Sequence, residues 1–191
     1  MTARASIAPT PPPAADAPPA PGRPAQADGA PSASAPSPAV LCLRDIGFAA
    51  AAGLLARHGL VLHGVADGAP IPGSYWGEPE AGVIGSAVHA RADTPVHSLL
   101  HEACHLIVLP PDRRAMVHTD ATDSVAEEDA ACYLQVLLAD VLPGVGRERL
   151  MADMDAWGYS FRLGSTRAWF EHDAGDAHLW LQQRGLLPAG A

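Results

Sequence analysis

His101-Glu102-Ala103-Cys104-His105 sets two imidazoles four residues apart, with a carboxylate beside the first. In a helix, a rise of 1.5 Å per residue brings the two histidines onto one face, roughly 6 Å apart along the axis. Both ring nitrogens can then reach one cation at about 2.0–2.1 Å, the bond length zinc takes with histidine. Zinc in that position acidifies water and polarises a carbonyl, and Glu102 is placed to act as general base for the attacking water. The chemistry is hydrolysis, and it needs a third protein ligand with one coordination position left open.

Glu127 is the first candidate for that ligand. Ala130, Leu134 and Leu138 follow it at three, seven and eleven residues, which puts it on the apolar stripe of the next helix. Ala130 and Ala131 are small enough to let that helix come close. A competing structural role exists, because Ser124-x-x-Glu127 has capping-box spacing, in which the glutamate turns back to its own helix start. Glu128 is the second candidate, on a more polar face with Cys132 and Gln135. Asp120 and Asp123 in the preceding loop are the aspartate alternatives. His97, His101 and His105 form one stripe, but two full turns span about 12 Å of axis, so all three cannot share an ion; His97 is expected beside the ligands or in solvent. Cys104, about 100° round the helix from His105, and Cys132 read as small packing groups, with thiolate ligation as the alternative. Tyr159, His172, Arg167 and His118 could each donate to a developing oxyanion, and spacing singles out none. Trp157, Trp169, Phe170 and Trp180 read as core.

These residues need elements to hold them. Thr94 suits an N-cap and Pro95 the first helical position, opening a helix that carries the motif until Pro110-Pro111 stops it. A polar loop over 112–123 leads to a helix capped by Ser124, running to about Val141 and stopped by Pro143-Gly144. Upstream, Asp45–His58 reads as a helix ended by Gly59, Leu60–Val65 as a strand, 69–82 as a turn region and Val83–Ala90 as a second strand. The last of these could present an edge for an extended peptide. Arg147–Trp157 and Ser165–Arg184 read as further helices.

Composition bounds the rest. With 191 residues, 48% hydrophobic, the chain has room for one medium domain, assigned to 39–191. Residues 1–38, almost entirely Ala, Pro, Ser and Gly, bury too little apolar surface to offset ordering entropy and are expected to form a disordered tail. A net charge of -9 argues against a nucleic-acid partner. Three scattered cysteines make no disulfide framework and fit a reducing, cytoplasmic setting. Neither a secretion signal nor a run of about 18 apolar residues is found, so no membrane role is expected.

His101-Glu102-Ala103-Cys104-His105, together with Glu127-x-x-Ala130 followed by Tyr133 and Leu137-Leu138, resembles the glutamate-type zincin metallopeptidases (gluzincins) and, more distantly, the ImmA/IrrE-like family. The resemblance covers roughly residues 80–140. It implies an α+β fold, mostly helical, with a small sheet packed on the HExxH helix. It also implies a Zn2+ cofactor held by His101, His105 and Glu127, Glu102 as general base, and a peptide or protein substrate. The alternative is a non-catalytic regulatory or interaction module in which zinc is structural or absent and Glu127 only caps its helix.

Overall fold

The computed structural model describes residues 39–122 and 124–188. The segment 1–38, expected above as a tail, and Asp123 lie outside them. The described chain is α+β, with eight helices and one three-stranded sheet. No helix among these residues is long and apolar enough to cross a membrane.

The helix expected over Asp45–His58 is divided at Gly47 into α1 (Leu43–Ile46) and α2 (Phe48–Arg57). The sheet follows, ordered β1-β3-β2. Its strand β1 (Val61–Gly64) runs parallel to β3 (Ala87–Ala90), with Val61 opposite Ala87. Strand β2 (Gly82–Ile84) runs antiparallel to β3, with Val83 opposite Val88. The segment 83–90, expected as one strand, is therefore a hairpin. Gly85, at φ 58°, and Ser86 close a two-residue turn between the paired Ile84 and Ala87, and such turns demand positive φ.

The outer edge of β2 is paired by the chain itself. Val83 N donates to Gly73 O at 3.1 Å, Thr119 N donates to Val83 O at 3.0 Å, and Gly85 N donates to Val117 O at 2.8 Å. Ser74 faces Gly82 and His118 faces Ile84 across the same edge. A Cβ on Gly73 would overlap the backbone of Val83, and one on Gly82 the backbone of Pro72–Ser74, so only glycine allows this approach. The edge expected to receive a peptide is occupied, and β3 lies inside the sheet.

Helix α3 (Val96–Val108) carries the motif, and every one of its residues is buried. Pro95 stands at its N-cap, one position earlier in the helix than expected. Thr94 does not cap it, because Thr94 Oγ1 accepts from Arg91 N at 2.9 Å instead. One flank of α3 meets β2 and β3, and the others meet α5 (Val125–Ala139) and α6 (Gly146–Trp157). Leu99, Leu100 and Leu106 are wholly removed from water, and each such burial contributes roughly 1.5–3 kcal/mol.

The expected loop after α3 opens with a short helix, α4 (Pro111–Arg114). The helix expected over Ser165–Arg184 is two, α7 (Thr166–His172) and α8 (Gly175–Gln183). At the break Arg162 Nε donates to Asp173 Oδ2 at 3.0 Å, and Trp169 and Leu181 on either side both enter the core. The start of the described chain is lashed across this core. Val96 N donates to Leu41 O at 2.8 Å, and Leu41 N donates to Asp153 Oδ2 on α6 at 3.0 Å.

Candidate metal centre

The helical motif brings His101 and His105 together as its spacing requires, with Nε2 to Nε2 at 3.0 Å. Across from them on α5 stands Glu128. Its Oε1 is 3.3 Å from His101 Nε2, and its Oε2 is 3.3 Å from His105 Nε2. Ala103 on α3 and Ala130 and Ala131 on α5 are completely buried, and small side chains of this kind allow a short interaxial distance. His101, His105 and Glu128 form a group that could hold a metal ion. Ligands about 2.0–2.1 Å from a tetrahedral ion lie about 3.3 Å from one another; here each histidine is at that distance from its own Glu128 oxygen, and the two Nε2 atoms are closer, at 3.0 Å.

Glu127, the expected third ligand, is not in this group. Its carboxylate accepts from Arg113 NH1 at 2.6 Å and NH2 at 3.1 Å, and also from the Thr122 hydroxyl. Its backbone N–H donates to Ser124 Oγ at 3.4 Å. Burial pushes the Glu127 pKa up, but the hydrogen bonds from Arg113 and Thr122 and the nearby positive charge leave it below the ordinary carboxylate value. The difference follows from helix phase. Glu128, Ala131, Cys132, Gln135 and Ala139 are the most deeply buried line of α5, whereas Glu127, Leu134 and Leu138 retain some exposure. Asp120 lies in the segment beside the β2 edge, outside the donor group, and Asp123 is outside the described residues.

Glu102 is buried next to His101. Of the four residues considered as oxyanion donors, only Tyr159 is placed here, its ring edge-on to His101 with centroids 5.8 Å apart. Burial, reinforced by electrostatic interaction with Cys132, Glu80, Glu128 and Glu102, raises its pKa well above the usual phenol value, so it stays protonated. The other three point elsewhere. His118 is on the segment pairing with β2, Arg167 is bound to Glu148 at 2.8 Å, and His172 is an exposed side chain beside Glu171.

Two neighbours were not legible as site residues. Glu80, in the turn before β2, accepts from Trp157 Nε1 at 2.8 Å. Burial raises its pKa, opposed by that hydrogen bond and by the nearby His101. Cys132, read as a packing group, places Sγ 3.9 Å from His101 Nδ1; its position four residues after Glu128 was the available signal. Cys104 fits its expected packing role, completely buried with its thiol pKa raised by burial. His97 is buried against Trp157 and Tyr159, with ring centroids at 5.1 and 5.6 Å. No protein family, curated protein or solved structure matches this chain.

Proposed function

We propose that this protein is a zinc-dependent hydrolase, a metallopeptidase in which His101, His105 and Glu128 hold the ion and Glu102 is the general base. The observation that carries the proposal is the convergence of two imidazole nitrogens and a carboxylate within 3.0–3.3 Å contacts, with a second carboxylate next to one of the histidines in sequence. When bound, zinc supplies a Lewis acid that lowers the pKa of water and polarises a carbonyl. Glu102 accepts the proton of the attacking water and delivers it to the leaving amine. Tyr159, kept protonated by burial, donates to the oxygen on which charge develops. A peptide substrate is what the resemblance to the zincin metallopeptidases implies.

Metal analysis of the purified protein tests this directly. The expectation is about one zinc per chain, lost in Glu128→Ala and kept in Glu127→Ala; the reverse pattern would return the ligand role to Glu127. Glu102→Gln should keep the metal and abolish hydrolysis. Protein that binds no zinc from a buffered solution would end the proposal.

One observation favours a second reading, a non-catalytic module with structural zinc. His101, Glu102, His105 and Glu128 are each at least nine-tenths buried, and the β2 edge is already paired. A hydroxamate, which needs an open coordination position, distinguishes the two. Binding to the zinc-loaded protein by calorimetry supports the hydrolase, and no binding at saturating zinc supports the structural site.

A further inference from the structure

His101 directs Nε2 at His105 and Glu128. Its other ring nitrogen lies on the opposite side of the imidazole, where Cys132 Sγ is 3.9 Å from Nδ1. An imidazole that gives its Nε2 lone pair to a cation carries the ring proton on Nδ1, and a buried N–H of this kind is ordinarily matched to an acceptor that fixes tautomer and ring plane. Cys132 is completely buried and follows Glu128 by four residues, so both project from one face of α5. The same turn of helix that supplies the ligand oxygen thus also supplies the group behind a ligand histidine. Of the other two thiols, Cys42 donates to Val40 O at 3.6 Å and Cys104 is completely buried.

We propose that Cys132 is a positioning residue for the metal centre, its thiol accepting the Nδ1–H hydrogen bond of His101 and so aiming Nε2 at the cation. The proposal rests on His101, His105 and Glu128 forming a metal site. Sulfur is a weaker acceptor than the carboxylates and carbonyls that more often back a ligand histidine. His101 therefore gains orientation from this partner with little added basicity, and the bound cation is left correspondingly electron-poor. The role also explains why a cysteine in this position is buried beside polar groups when an alanine would fill the helix contact.

The test is zinc affinity, measured by competition with a chromophoric chelator on the full chain, for the wild type and for Cys132→Ala, Cys132→Ser and Cys42→Ala. Removing a partner of this type typically costs about 10–100-fold in metal affinity, and that loss is expected for Cys132→Ala. Cys132→Ser, which keeps an acceptor, should recover part of it, and Cys42→Ala should bind as the wild type does. The cobalt-substituted wild type should show no thiolate-to-metal charge-transfer band. Equal affinity in Cys132→Ala and wild type overturns the proposal, as does a serine variant no better than alanine, which would make the role one of volume. A thiolate band that disappears in Cys132→Ala overturns it by making Cys132 a ligand. Wild-type protein that binds neither metal ends the metal-site reading itself, an outcome distinct from the other three.

Discussion

His97 carries two buried ring nitrogens with no hydrogen-bond partner among the described residues. Burial, and secondarily the charge of His101, lowers its pKa to about 3. An unfolded chain keeps an imidazole pKa of about 6.5. Between those values the unfolded state holds a proton that the folded state does not. Stability therefore declines as pH falls through this window, by about 1.4 kcal/mol per pH unit for this one group. Asp129 acts with the opposite sign. Its pKa is raised to about 6 by burial and by Glu128, Asp173 and Asp176, so its contribution grows as pH falls toward 3.8. Both proteins retain Asp129 in a comparison of wild type with His97→Phe, and the difference isolates the imidazole. Urea unfolding should show the variant gaining on the wild type by about 2 kcal/mol between pH 7 and pH 5; a difference constant with pH would show that His97 does not control the acid limb. Tyr159→Phe should lower kcat by about 10²–10³, the usual loss of one oxyanion donor, with zinc content unchanged. The same residue scale shows where the expected and the observed donor groups differ. His101, Glu102 and His105 were legible because their spacing is fixed by one helix. The choice between Glu127 and Glu128 was made on hydrophobicity, and the face holding Cys132 and Gln135 looked more polar than that of Glu127. Glu128, Cys132 and Gln135 on that face are instead almost wholly buried.

At the scale of elements, the punctuation of α3 and α5 was readable. Prolines end α3, and Ser124 starts α5. What failed was the reading of small interruptions inside longer patterns. Gly47 divides one expected helix and Asp173-Ala174 another, and Gly85 turns an expected strand into a hairpin. Local propensity gives little warning of such breaks, since each is set by what the flanking segments pack against. The β2 edge is a sharper case. Gly73 and Val117–Thr119 are far apart in sequence, and their convergence on Gly82–Gly85 is a tertiary fact. Gly82→Ala forces a Cβ into the backbone of Pro72–Ser74. It should cost more than about 2 kcal/mol in denaturant midpoint analysis, the range associated with overpacking and backbone strain. Gly53→Ala, on α2 with open space around the new methyl, should instead be neutral or stabilise by up to about 1 kcal/mol. Comparable losses at both sites would mean that the close approach at β2 is not what constrains Gly82.

Across the whole molecule, the candidate ligands come from two helices that the rest of the chain clamps together. The sheet lies on one flank of α3, α6 on another, and the Leu41 segment ties the start of α3 to Asp153. The α+β class that the resemblance implied is the one found, while the order β1-β3-β2 and the tie to Asp153 had no signature in any one segment. That clamping has a kinetic consequence. His101, His105 and Glu128 are 6%, 3% and 1% exposed, so under the structural-zinc reading a chelator reaches a bound ion only when α3 and α5 separate locally. Ion release then behaves like hydrogen exchange from a core amide, gated by an opening step of the protein. With chelator in excess, the stripping rate should reach a plateau independent of chelator concentration. That plateau should rise in mild urea, well below the global unfolding midpoint. A rate that keeps climbing in proportion to chelator would mean that the ion is open to direct attack. In the gated case, the lifetime of the loaded state is set by how often two helices part, and thermodynamic affinity and residence time become separately tunable properties of the same centre.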